Sequence, residues 1–387
     1  MKRIACLLLL GLALPVAAAS PQAAPNAAVP ALVKRVPVVL LVDLSAGQTL
    51  YARGAEKRFL PASITKVMSA LVAFDLIASG KLSEDAVFTV SPAAAARWSG
   101  KGTTLALRAG ERVSVRDLLM GLTTVSANDA AAVLAEGALG SQEAWLAAMN
   151  ARARALGMTG SQFATPNGFP DHGQTYVTAR DLVRLAKALI VDHPELYHHY
   201  FGHRSMVWRG QELFSHDPFA AGALPGADGI KTGHTFEAGF NFLGAVERGG
   251  RRLVLVIGSA QNEDLRAKVS LQLAEWGYGA WDSRAFVAKG QVIGQALVQD
   301  GAARQVPLAL PNGFTLAVPK GTQPEVVTRI VYTGPLRAPI AKGATVAGLE
   351  VQVAGQPVHY LPLIAAEAVD KAGPFDRIVN GLLGLLE

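Results

Sequence analysis

The chain has 387 residues, half of them hydrophobic and 17% charged, which leaves room for two domains. Its formal net charge of +6 comes without any basic run, which speaks against nucleic acid and suits an acidic wall polymer or anionic lipid headgroups. One cysteine, Cys6, rules out an internal disulfide, and no later stretch holds the roughly 20 uninterrupted apolar residues of a membrane span.

Met1-Lys2-Arg3, the apolar run Ile4 to Leu14, Pro15 and the small residues Ala17-Ala18-Ala19 predict a secretory signal over 1–19, cleaved after Ala19. Cys6 lies too early in that run for a lipoprotein attachment site. The exported chain then has no thiol chemistry and no Cys-based metal site, and its charge falls to about +4. An Ala/Pro-rich linker over 20–32 leads to a first domain over 33–283.

Val38 to Asp43 reads as a buried strand, Ser45 to Gln48 as a turn and Thr49 to Ala52 as the returning strand. Leu60-Pro61-Ala62-Ser63 then precedes a helical run with apolar Val67, Met68, Leu71, Val72 and Phe74. At such a helix start, free N–H groups and the positive dipole end favour negative charge on the Ser63 oxygen. Lys66 at i+3 shares that helix face. With its ammonium form disfavoured by burial and nearby positive charge, it can take the serine proton. Taken alone, Ser63 reads more readily as a plain N-cap, and only the other motifs reverse that reading.

Ser114 with Asp117 starts the next helix as a capping box, and Ser126-Ala127-Asn128 separates it from a run over Asp129 to Glu136. That loop is either an ordinary interhelical turn or a place for a proton-relaying hydroxyl and an amide that holds a carbonyl. Ser141 caps a helix running through Trp145, Met149 and Leu156 to Gly157. His199 and His203 stand at i and i+4 without the glutamate of an H-E-x-x-H pattern, so no metal site is expected. No G-x-S-x-G elbow occurs either.

From Asp228 a strand leads into Lys231-Thr232-Gly233. Phe240 to Val246, the turn Arg248-Gly249-Gly250 and Leu253 to Ile257 follow as a hairpin. A lysine and a glycine there would put positive charge and a closely approaching backbone beside the serine. Short alternating runs split by Gly and Pro over 284–373 predict a small β-rich domain. Over 374–387, Phe375, Ile378, Val379, Leu382, Leu383 and Leu386 form an apolar helical stripe. It would lie on a membrane surface or pack on the β domain.

Ser63-Ile64-Thr65-Lys66, Ser126-Ala127-Asn128 and Lys231-Thr232-Gly233, in this order and at this spacing, are the motif trio of serine enzymes acting on penicillins and cell-wall peptides. Further matches are Pro61-Ala62-Ser63, Val125 to Ala130, Phe163 with Thr165 to Asp171, Thr178 to Asp181 and Asp228 to Thr235. On these residues the chain resembles the low-molecular-mass penicillin-binding proteins that are D-alanyl-D-alanine carboxypeptidases. The likeness runs from about Pro37 to the carboxyl terminus. Ala127 stands where many members have glycine, and Gln211 to Leu224 lacks the family's Asn-rich approach to the Lys-Thr-Gly strand.

The resemblance implies an α/β (α+β) serine transpeptidase-like domain, an antiparallel sheet with inserted helices, followed by a small all-β domain and a terminal amphipathic helix. It implies Ser63 as nucleophile, Lys66 as base, Ser126 and Asn128 as proton relay and substrate amide contact, and Lys231 as electrostatic anchor. The backbone N–H groups of Ser63 and His234 would form the oxyanion hole. Thr232, Gly233, Thr235 and Arg266 would bind substrate, the Arg266 fork gripping the terminal carboxylate. Arg266, close to Glu263 and Asp264, reads equally as a surface ion pair. The implied partners are peptidoglycan stem peptides ending in D-Ala-D-Ala, β-lactams as inhibitors and the outer face of the cytoplasmic membrane, with no cofactor and no metal. Two rivals are a β-lactamase, for which the loop over 159–173 offers Asp171 but no glutamate, and a non-catalytic wall-binding protein of the same fold.

Overall fold

The continuous apolar runs of the chain, rather than alternating ones, build its central sheet. The computed structural model describes residues 4–6, 28–220, 222, 224–323, 325–353 and 358–374. Of the segment read as an export signal, only Ile4–Cys6 is described, as a short strand against Ile330 to Tyr332. The Ala19 cleavage point and the stripe Phe375 to Leu386 lie outside the described residues.

The sheet comprises β1 (Val38–Asp43), β2 (Gln48–Arg53), β3 (Ala227–Thr235), β4 (Gly239–Arg248) and β5 (Arg251–Ala260). It is antiparallel throughout, in the order β2-β1-β5-β4-β3. Every residue of β1 and nearly every one of β5 is buried, the pattern of strands covered on both faces. β3 is an edge strand, so its outer row of N–H and C=O groups has no strand partner among the described residues. Lys231-Thr232-Gly233 lies in the interior of β3 and pairs with Leu243, Phe242 and Asn241.

The longer helices are α1 (Thr65–Ala78), α2 (Val115–Thr124), α3 (Asn128–Leu139), α4 (Gln142–Ala155), α5 (Ala179–Asp192) and α6 (Glu263–Gly279). α5 and α6 pack on the sheet, while α1 packs against α2, α3, α4 and α5. All residues from Thr65 to Phe74 are buried, as expected for a helix apolar on every side. Lys66 is thereby enclosed at the centre of the domain. Side-chain caps start the neighbouring helices: Ser114 Oγ accepts from Asp117 N at 3.1 Å, and Ser141 Oγ accepts from Ala144 N at 3.1 Å. Each such cap contributes about 1 kcal/mol.

Packing divides the chain between Ala280 and Trp281. The second unit is all β among its described residues. Val326–Tyr332, Thr345–Val353, His359–Ala365, Gln305–Ala309 and Val292–Gln299 form successive sheet neighbours, and Trp281–Val287 pairs with Phe314–Pro319. Their inward residues, among them Val306, Leu308, Leu316, Val351 and Leu363, form a separate core.

Candidate active site

Ser63 lies in a single 3-10 turn, Ala62–Ile64, directly ahead of α1. It is not the cap of that helix: α1 begins at Thr65, with Ile64 in front of it. The turn is held against the sheet by Asn241, fully buried on β4, whose Nδ2 donates to Leu60 O at 3.0 Å and whose Oδ1 accepts from Ser259 N at 2.7 Å. β3 presses on the same turn. A Cβ on Gly233 would lie 2.2 Å from Pro61 O and 3.2 Å from Ser63 N, so only glycine lets the strand approach this closely.

The Lys66 amine is completely buried and touches three oxygens: Ser63 Oγ at 2.8 Å, Asn128 Oδ1 at 2.8 Å and the Asn167 carbonyl at 2.7 Å. Two of these are carbonyl oxygens that can only accept. A neutral amine therefore gives its two hydrogens to Asn128 and Asn167 and turns its lone pair to Ser63. Burial holds the Lys66 ammonium well below its ordinary range, and the positive charge of Lys231 pushes the same way against the opposing pull of Asp129.

The third oxygen partner, the Asn167 carbonyl, gives a role to the loop over Thr165 to Asp171. Asn167 is fully buried, donates from Nδ2 to Asn128 O at 3.2 Å and accepts at Oδ1 from Phe169 N at 3.0 Å. Gly168 follows with φ +74°, and a Cβ there would lie 1.8 Å from Ala62 O. The loop is pinned farther back by Ser69 Oγ, which donates to Pro166 O at 2.6 Å, and by Asn150, which brackets Phe163. The Asn-Gly dipeptide was the visible turn signal.

Ser126 lines the cleft in a left-handed conformation, φ +68°, uncommon for a residue with a side chain. Asn128 opens α3, and its Nδ2 donates to Lys101 O at 3.0 Å, which leaves its second amide hydrogen for a ligand. Asp129 accepts from Leu105 N at 2.9 Å and Leu107 N at 3.0 Å, and Asn128 N donates to Thr103 O at 2.8 Å. These contacts set Gly102 and Thr103 as a rim of the cleft, residues that the motifs did not point to.

On the strand side, Lys231 is buried and its amine donates to Thr232 O at 3.2 Å. Burial, with help from Arg266, lowers its pKa to about 8 against the opposing charge of Asp217. The Asp217 carboxyl is itself pushed up to about 6 by burial, with Phe219 N, Lys231 and Arg266 pulling it down. Asp217 Oδ1 accepts from Phe219 N at 2.7 Å, and Phe219 packs edge-on to Phe242 at 4.9 Å. The segment Gln211 to Leu224 thus carries a charge that bears on both cations of this wall.

His234 stacks on Phe240 with ring centres 3.9 Å apart, and Thr235 Oγ1 accepts from Ala238 N at 3.1 Å. Arg266, near the start of α6, is only 3% exposed, so it is not a surface residue. Its NH2 group donates to Glu263 Oε1 at 2.7 Å and to His216 O at 3.3 Å, while its buried Nε has no hydrogen-bond partner among the described residues. An unpaired buried donor is costly unless a ligand completes it.

Ser63, Ser126, Asn128, Thr232, Gly233, His234, Thr235 and Arg266 line one cleft of about 430 Å³, with Lys66 and Lys231 buried in its walls. Asp171, the acidic residue of the 159–173 loop, does not line that cleft and accepts from Thr175 Oγ1 at 2.5 Å. His203 is turned inward on its own turn, its Nε2 2.8 Å from His199 O.

A family model described as D-alanyl-D-alanine carboxypeptidase matches residues 28–262, and one described as penicillin-binding protein 5, C-terminal domain, matches residues 281–371. The chain is 32% identical over 343 residues to D-alanyl-D-alanine carboxypeptidase DacD of Salmonella typhimurium, covering 88% of this chain and 87% of that protein. Among solved structures it is similar to penicillin-binding protein 5 from Haemophilus influenzae, with a TM-score of 0.78 and 27% identity over 87% of this chain and 98% of that one. Penicillin-binding protein D2 from Listeria monocytogenes, solved in its ampicillin-bound form, matches 66% of this chain and all of its own at 28% identity and a TM-score of 0.56.

Proposed function

The chain belongs to the D-alanyl-D-alanine carboxypeptidase family, and from that premise we propose how its residues divide the reaction. It is a serine-type, penicillin-binding D-Ala-D-Ala carboxypeptidase that acts on the peptidoglycan stem peptide. Ser63 is the nucleophile and neutral Lys66 its base. Ser63 Oγ loses its proton to Lys66 and bonds to the carbonyl carbon between the two D-alanines. The oxyanion is received by the backbone N–H groups of Ser63 and His234. Ser126 relays the proton to the departing amine as the C–N bond breaks, D-alanine leaves, and water then releases the acyl group from Ser63.

Asn128 holds the peptide amide on one side. Lys231 supplies positive charge beside it, the outer edge of β3, with Gly233, runs along the peptide backbone, and Thr232, Thr235 and Arg266 receive the terminal carboxylate. The observation that carries this reading is the Lys66 amine, completely buried, with its nitrogen 2.8 Å from Ser63 Oγ. A β-lactam follows the same first step, but its leaving group stays tethered. The test is D-alanine release from a peptide ending in D-Ala-D-Ala together with the mass of the penicillin-treated protein. One penicilloyl group on Ser63 is expected, and Ser63→Ala removes both signals. An adduct on another residue would overturn the assignment.

The substrate lies in the cell wall, and the basic-apolar-small pattern over 1–19 supports export. The stripe Phe375 to Leu386 supports attachment to the outer face of the cytoplasmic membrane, since its apolar face is long enough to sink into the headgroup boundary. No helix among the described residues is long and apolar enough to cross a membrane.

A further inference from the structure

The end of the cleft that is to receive a carboxylate already holds one. Glu263, the first residue of α6, lines the cleft together with Arg266, and its Oε1 accepts from the Arg266 NH2 group at 2.7 Å. The two members of this pair are fixed to different degrees. The Arg266 side chain is 4% exposed and has support apart from Glu263: its NH2 group also donates to His216 O at 3.3 Å, and its guanidinium carbon lies 6.0 Å from the centre of the Phe240 ring. The Glu263 side chain is 61% exposed, so it can swing away with little loss of packing. Its charge keeps a favourable setting when it does, because the start of a helix favours an acid. The cap of α6 does not depend on it, since Asn262 Oδ1 accepts from Leu265 N at 2.8 Å.

The pairing is also incomplete. A guanidinium offers Nε and one NH2 group side by side on one edge, and a carboxylate bound bidentately takes both. Glu263 is bonded to NH2, and the buried Nε stays without a hydrogen-bond partner among the described residues. A peptide carboxylate that used the whole edge would need the donor that Glu263 holds. Two carboxylates crowded on one guanidinium repel each other, so the arrival of one favours the departure of the other.

We propose that Glu263 is an internal stand-in for the terminal carboxylate: it occupies Arg266 in the empty cleft, yields it to the peptide and takes it back as D-alanine leaves. The inference rests on the carboxypeptidase reading and adds a residue that sets how tightly carboxylate-ended ligands are held. Apparent affinity is reduced by the share of molecules in which Arg266 is already taken. For an ion pair with one exposed partner, that reduction is about threefold.

The experiment measures D-alanine release from Nα,Nε-diacetyl-Lys-D-Ala-D-Ala by the full chain and by Glu263→Gln, each with two competitive inhibitors. One is D-alanine, which carries the carboxylate; the other is the same peptide ending in D-alanine amide, which does not. Glu263→Gln should lower KM about threefold with no rise in kcat, and should strengthen inhibition by D-alanine by a similar factor. Inhibition by the amide should stay the same, a contrast that a general change in the shape of the cleft would not produce. Glu263→Ala, which also lacks the carboxylate, gives a second reading of the same three quantities. A raised KM in both variants would make Glu263 a support for Arg266 and overturn the proposal. Unchanged KM and D-alanine inhibition, or equal strengthening of both inhibitors, would overturn it as well. No D-alanine from the wild-type chain overturns the carboxypeptidase reading and the stand-in with it.

Discussion

The two walls of the cleft treat positive charge in opposite ways. On the helical wall Lys66 is enclosed by α1 and its neighbours, its three contacts are all oxygens of the protein, and burial holds its ammonium well below the ordinary lysine range. On the strand wall Lys231 and Arg266 stay charged more readily because Asp217 and Glu263 face them, and Arg266 keeps a buried Nε without a partner among the described residues. A fully satisfied neutral amine is suited to moving a proton. Charges left incompletely paired are suited to binding an anion. Proton chemistry and carboxylate recognition are thereby kept on different elements, where one can be altered without the other.

Removing the base should have the largest effect. Lys66→Ala should slow acylation by a factor on the order of 10² to 10⁴, measured with a fluorescent penicillin, while the folded protein persists. Near-wild-type acylation would end the distinction between the walls.

The next effect falls on the scaffold of the helical wall. Gly168→Ala would place a methyl 1.8 Å from Ala62 O at a φ of +74°, so it should lower stability by about 2–4 kcal/mol and loosen the Asn167 carbonyl from Lys66. Calorimetry of the variant checks the first part and acylation rate the second. An unchanged melting temperature would show that the loop yields freely.

A smaller, selective effect tests the strand wall. Arg266→Met should reduce D-alanine release from peptide roughly tenfold or more, yet change penicillin acylation much less, because the strained lactam ring supplies much of its own reactivity. Equal losses for both would assign Arg266 to the fold of α6 rather than to the substrate. At the lower end, deletion from Pro374 onward should leave acylation unchanged, since all the proposed catalytic residues precede Ser270. It should move the protein from the membrane fraction to the soluble one. A full-length protein already soluble would remove the membrane role of the stripe.

The helical wall was the more legible of the two in the sequence. Ser63 and Lys66 declare themselves by i, i+3 spacing on an apolar helix, and the Ser114 and Ser141 caps mark where the surrounding helices begin. Val38 to Asp43 and the hairpin through Gly249-Gly250 were legible for the same reason, since local pattern determines them. Contacts made across long stretches of chain were not. The Asn167 carbonyl reaches Lys66 from 101 residues away, and Asn241 holds Leu60 from 181 residues away. Neither has a periodicity, and a backbone carbonyl carries no side-chain signature at all. Arg266 showed a different shortfall: its neighbours Glu263 and Asp264 suggested a surface pair, whereas packing of α6 on the sheet buries it. The 3-10 turn at Ala62–Ile64 also escaped the helical pattern, because apolar spacing does not mark where an α-helix gives way to a tighter turn.

The pH dependence of Ser63 acylation tests the account at its centre. Lys66 must be neutral to act as base, so the rate rises as pH climbs through its lowered pKa. Lys231 must be protonated, so the rate falls as pH climbs through about 8. The account predicts a bell with its upper limb between about pH 7 and 9 and its lower limb well beneath the ordinary lysine range. A rate that climbs without a break through pH 10 would mean that the buried amine titrates as a normal lysine, and would contradict the account.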